Sequence, residues 1–117
     1  MPELPKILII EDDIIYQETL SRFLENLGSC IFASTLGEAR QAMAKHDDIA
    51  HALVDYRLPD GNGTEILPEL ADRNVPSTFM SFLSPETLKA DLQKVPDCII
   101  VNKENINKEY LTNLLAD

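Results

Sequence analysis

The chain has 117 residues, a net charge of −10 and 44% apolar residues, enough for one domain with its own core and too ordinary for disorder. So acidic a chain is a poor match to nucleic acid or an anionic membrane surface, both of which require a basic face. No apolar run reaches the length of a membrane span, MPELPKILII lacks the pattern of a secretory leader, and two cysteines, Cys30 and Cys98, fit a reducing cytoplasm better than a disulfide framework.

Lys6–Ile10 (KILII) reads as a strand covered on both faces, because it shows no polar alternation. Leu20, Phe23, Leu24 and Leu27 then follow a helical period that Gly28 is expected to close. Cys30–Ala33 is a second strand, and Thr35 with Glu38 predicts a capping box on a helix that turns Ala39, Ala42 and Met43 inward. His51–Val54 is the third strand, ended by Asp55 and followed by the turn Pro59-Asp60-Gly61-Asn62-Gly63. A helix carrying Ile66, Leu67 and Leu70 comes next. Ser77–Ser81 is the fourth strand, and Ser84-Pro85-Glu86 reads as the start of a helix that buries Leu88, Leu92 and Val95 and stops before Pro96. Cys98–Val101 is the fifth strand, and a last helix carries Ile106, Tyr110, Leu111, Leu114 and Leu115. Five strand–helix alternations with short connections predict an α/β fold, one parallel sheet between two helical layers, over residues 1–117 as a single domain. Cys30 and Cys98 read as two apolar residues on strands.

In such a sheet, functional groups gather beyond the carboxyl ends of the strands. Those ends carry Glu11, Asp12 and Asp13, then Asp55, then Ser81, then Lys103. Each alone has an ordinary reading: a helix cap, a turn acid, a strand-end hydroxyl, a solvated lysine. His46 suits a helix C-terminus, and His51 lacks partners at metal-ligand spacing. Together, crowded carboxylates need a cation between them, and an oxygen-only set with room for water suits Mg²⁺. A lysine and a hydroxyl beside them would neutralise and hydrogen-bond a phosphoryl group attached to a carboxylate nucleophile.

From KILIIEDD through LVDYRLPDGNG and PSTFMS to VNK, the chain resembles a response-regulator receiver domain of two-component signalling. The resemblance implies a doubly wound, flavodoxin-like (βα)5 fold with a five-stranded parallel sheet of order 2-1-3-4-5. It implies that Asp55 accepts a phosphoryl group from a histidine kinase or phosphotransfer protein. Glu11, Asp12, Asp55 and the backbone carbonyl of Arg57 would hold Mg²⁺, Ser81 and Lys103 would meet the phosphate, and Asp13 would cap the helix. Pro59 and Gly63 match the residues that shape the following loop. A downstream protein or output domain would read the switched surface, which could also pair two copies; no output domain is expected within the chain. The implied domain is cytoplasmic and not an enzyme beyond its own phosphorylation and slow dephosphorylation.

Three positions depart from the family's usual pattern. Phe82 replaces a small residue after the hydroxyl, Ile100 an aromatic residue of the fifth strand, and Glu104 a proline after the lysine. Phe82 is therefore expected either to replace the missing aromatic bulk in part or to cover Asp55. With Glu104, the peptide bond after Lys103 is expected to be trans. These departures support an alternative, a receiver-like module that docks to a partner without being phosphorylated. A Mg²⁺ phosphohydrolase with an aspartyl intermediate fits less well, because the first strand ends in EDD and no residues remain for a substrate cap.

Overall fold

A computed structural model describes residues 3–83, 86–88 and 98–116. Five parallel strands form one sheet: β1 (Lys6–Ile10), β2 (Ser29–Ala33), β3 (Ile49–Asp55), β4 (Ser77–Ser81) and β5 (Ile99–Asn102). Their order is β2-β1-β3-β4-β5, as expected for a doubly wound sheet. Helices α1 (Ile14–Phe23), α2 (Leu36–Lys45), α3 (Leu67–Asp72) and α4 (Lys108–Leu115) flank it, and Glu86–Leu88 is also helical. The cap at Ser84-Pro85 and the burial of Leu92 and Val95 lie outside the described residues. No described helix is long and apolar enough to cross a membrane.

The apolar runs explain the two layers. Successive strand side chains point to opposite faces. Leu8, Ile10, Ala52, Val54 and Phe79 therefore pack against Leu36, Ala39, Met43, Leu67, Leu70 and Leu88 on one side. Ile7, Ile9, Leu53, Met80 and Val101 meet Leu20 of α1, Leu24 just after it, and Leu111 of α4 on the other. Each fully buried Leu or Ile contributes about 1.5–3 kcal/mol.

Several boundaries differ from the sequence reading, each for a local reason. α1 stops at Phe23, and Asn26, not Gly28, takes the left-handed backbone with φ 67°. Gly28 serves close approach instead, since a Cβ there would lie 2.6 Å from Ile7 Cγ1. Thr35 Oγ1 accepts from Glu38 N at 3.0 Å, but the Glu38 carboxylate reaches Ser34 N rather than Thr35 N. The reciprocal box forms between Asn62 and Glu65, in the loop after β3. Ile106 is buried but precedes α4, because Asn107 accepts from Tyr110 N and so starts the helix there. Both cysteines are half-buried; Cys30 lies on edge strand β2, and Cys98 just precedes β5 on the opposite edge.

His51, on β3, is buried, and its Nε2 lies 2.8 Å from Thr78 Oγ1. Burial pushes its imidazole down from 6.5 to about 4. A folded pKa below the unfolded one means that the unfolded chain binds the extra proton between those values. Stability from this group is full above pH 6.5 and is lost as pH falls toward 4, by about 3 kcal/mol. Urea unfolding at pH 7 and pH 4.5 should show the wild type losing stability that His51→Gln retains; equal losses would contradict this.

Candidate phosphoryl and metal site

Register brings the strand-end residues together. Ile10 pairs with Val54, so Glu11 and Asp55 leave adjacent strands at the same level. Asp55 pairs with Met80 and Ser81 with Asn102, which puts Ser81 one step and Lys103 two steps further along. Glu11 N still donates to Ala33 O at 2.9 Å, so its backbone remains tied to the sheet. The Glu11 carbonyl is held by Gln17 Nε2 at 2.5 Å, and Asp13 N approaches Glu11 Oε1 at 3.3 Å. Asp13 caps α1, accepting from Ile15 N and Tyr16 N, as expected.

One ligand oxygen from each of Glu11, Asp12 and Asp55 lies within 4.8 Å of the others, with Asp12 exposed and the other two buried. Lys103 Nζ bridges the buried pair, 2.8 Å from Glu11 Oε2 and 3.0 Å from Asp55 Oδ1. Tyr56 N donates to the same Asp55 oxygen at 2.8 Å. Burial is the main cause that pushes the Glu11 carboxyl up to about 7; the Lys103 hydrogen bond opposes it and the Asp55 charge adds to it. Burial would lower Lys103, but its contacts with Glu11 and Asp55 outweigh that and hold the ammonium above its ordinary value. Three carboxylates against one ammonium leave two formal negative charges, and the donors are all oxygen. Such a set fits a small, hard dication.

A cleft of about 210 Å³ opens beside this cluster, lined by Asp55, Tyr56, Arg57, Ser81, Phe82, Leu83 and Lys103. Ser81 is buried, and its Oγ accepts from Leu83 N at 2.9 Å, which leaves the hydroxyl proton to donate. Arg57 lies on the same cleft, and its guanidinium stacks over Tyr56 at 5.4 Å. The loop from Arg57 to Gly63 is a small antiparallel hairpin, Arg57–Leu58 against Gly61–Asn62. Asp60 pins it to α2 by accepting from Leu36 N at 2.8 Å and Gly37 N at 3.0 Å.

The departures behave in different ways. Phe82 is 61% exposed, so it does not fill core volume in place of an aromatic residue on β5; Ile100 itself is 38% exposed. Phe82 instead stands at the cleft mouth, edge-on to Tyr16 with ring centroids 6.2 Å apart. The bond after Lys103 is trans, among the described residues, and Lys103–Asn105 forms a short 3₁₀ turn capped by Asn102. Tyr16 escaped the sequence reading. Its hydroxyl donates to Lys103 O at 3.2 Å, and burial, then the Glu11 and Asp55 charges, raise its phenol and keep it protonated. Only its place one helical turn beyond the strand-end acids could have singled it out.

An open α/β sheet with clustered acids, a buried lysine and a hydroxyl at its carboxyl edge is a doubly wound fold with its polar site where such sheets place ligands. Residues 7–109 match the family model for the response regulator receiver domain, and the chain belongs to that family. It is 32% identical to the aerobic respiration control protein ArcA of Escherichia coli K12 over 78 residues, 66% of this chain and 33% of that protein. It is 31% identical to the transcriptional regulatory protein CssR of Bacillus subtilis over 108 residues, 90% of this chain and 45% of that one. The chain thus spans between a third and a half of the length of these relatives.

Among solved structures, a CheY-like receiver domain from Methanospirillum hungatei is 25% identical, with a TM-score of 0.77 over 97% of this chain and 92% of its own. The receiver domain of sensor histidine kinase PA1611 from Pseudomonas aeruginosa has the same fold at 17% identity, with a TM-score of 0.82 over 96% of this chain and 94% of its own. That structure holds a magnesium ion in its active-site cleft. Receiver domains are not enzymes in the ordinary sense, because they catalyse phosphorylation and dephosphorylation of themselves.

Proposed function

We propose that this chain is a phosphorylation-dependent switch in which Asp55 accepts a phosphoryl group from a phosphohistidine of a kinase or phosphotransfer protein. The observation that carries this reading is Lys103, bridging Glu11 and Asp55 at the edge of an open cleft. A carboxylate oxygen of Asp55 forms a bond to phosphorus as the P–N bond breaks, and the electron pair stays on the donor imidazole. Lys103 remains protonated and donates to a phosphoryl oxygen, and the Ser81 hydroxyl donates to another. Glu11, Asp12, Asp55 and the Arg57 carbonyl would hold Mg²⁺, which when bound neutralises the acids and the phosphoryl oxygens. Charge added at Asp55 then draws Ser81 and Lys103 toward it and biases the surface that a downstream partner or output domain reads. The net charge of −10 favours a partner that is not nucleic acid, and only two cysteines in 117 residues favour a cytoplasmic setting.

Incubation with a small acyl phosphate and Mg²⁺ should add the mass of one phosphoryl group, and a chelator should prevent the gain. No gain under either condition would favour docking without phosphorylation, the reading that the altered positions Phe82, Ile100 and Glu104 otherwise support.

A further inference from the structure

Lys103 is held from a side that the phosphoryl chemistry does not use. Its ammonium lies 4.7 Å from the Tyr16 ring centroid and 5.4 Å from that of Phe82. The rings meet edge-to-face, so they form two walls of one corner around the charge. The Tyr16 hydroxyl also grips the Lys103 backbone carbonyl, where β5 gives way to the 3₁₀ turn. Tyr16 thus holds this residue at both ends, by its backbone and by its charged tip. The rings attract an ammonium but offer no counter-charge that would compete with Asp55.

We propose that Tyr16 is a positioning residue for Lys103, and that with Phe82 it forms an aromatic clamp that keeps the ammonium directed at Asp55 during phosphoryl transfer. A lysine side chain has four rotatable carbons and a high entropy cost of fixing. Its pairing with Glu11 and Asp55 sets where the charge goes, while the clamp limits where else it can go. Tyr16 is able to do this because Asp13 caps α1 and fixes the first helical turn beside β5. Phe82, exposed at the cleft mouth, closes the solvent side of the same corner.

The effect on rate rests on the assignment of Asp55 as acceptor, so the test has a readout independent of it. Aromatic ring currents should move the Lys103 ε-methylene proton resonances upfield in the metal-free wild-type protein. Tyr16→Phe should keep most of that displacement, and Tyr16→Leu should lose most of it. With an acyl phosphate and Mg²⁺, phosphorylation should slow about tenfold in Tyr16→Leu and about two- to threefold in Tyr16→Phe, which retains the ring but loses the hydroxyl. An undisplaced Lys103 resonance in the wild type, or a Tyr16→Leu rate equal to wild type, overturns the clamp. A wild-type protein that takes up no phosphoryl group overturns the acceptor assignment instead, and the Lys103 resonances then decide the clamp by themselves.

Discussion

Gly63→Ala is expected to lower the stability of the domain by at least about 3 kcal/mol, or to prevent folding. A Cβ at this position would lie 1.8 Å from the Asp55 carbonyl oxygen and 3.0 Å from Val54 Cγ1. The obstacle is backbone at the end of a central strand, so no rotamer change relieves it. Gly63 N also donates to Tyr56 O at 2.6 Å, so the loop cannot swing away without losing that bond. The contrast with Gly37 sharpens the expectation: there a Cβ would meet nothing nearer than 3.7 Å, and Gly37→Ala, inside α2, should be neutral or mildly stabilising. Urea unfolding of both variants at neutral pH measures the difference. A Gly63→Ala protein within 1 kcal/mol of wild type would show that the loop after β3 is not held by this approach.

Lys103→Met is the second large effect, and it divides between stability and chemistry. The lysine side chain is 7% exposed, and its partner Glu11 is fully buried. Removing one member of a buried pair costs about 3–5 kcal/mol when the other stays charged. Glu11 has an escape, because its carboxyl is already raised to about 7 and can take a proton. The loss should therefore be large at pH 8 and smaller at pH 6, where a neutral Glu11 needs no counter-charge. The phosphorylation rate should fall by about 10²-fold, the usual effect of deleting one preorganised donor to transition-state charge. Chemical unfolding at the two pH values, with phosphorylation followed by mass spectrometry, checks both parts. A loss of stability that does not depend on pH would mean that Glu11 does not relieve the missing charge.

Asp55 and Lys103 mark where the sequence was informative. They were legible because Asp55 directly follows a continuous apolar run and Lys103 follows one after a single residue, Asn102, and in a parallel sheet such runs are buried strands whose ends converge. Glu11 was legible for the same reason, although sequence could not show that its backbone stays in the sheet through Ala33 O. Gly63 read as a loop-shaping residue, but its contact with the Asp55 carbonyl depends on a loop path that no local pattern encodes. Asp60 was read only as one residue of the turn from Pro59 to Gly63, whereas it accepts from the first turn of a helix 24 residues earlier in the chain. Tyr16 carried no motif because its role comes from a hydrogen bond across 87 residues of sequence. Phe82 was noticed as unusual, yet only its exposure showed that it borders the cleft rather than filling the core.

The central claim is that Asp55 is the atom-level acceptor, and the most direct test is to find the phosphorylated residue. Wild-type protein would be treated with an acyl phosphate and Mg²⁺, then with borohydride, which reduces an acyl phosphate to an alcohol but leaves a carboxylate alone. Peptide mass mapping should find homoserine in place of Asp55 and at no other acid, and Asp55→Asn should yield none. Homoserine at Asp12, Asp13 or Asp60 instead, or a phosphoryl gain that persists in Asp55→Asn, would contradict the account.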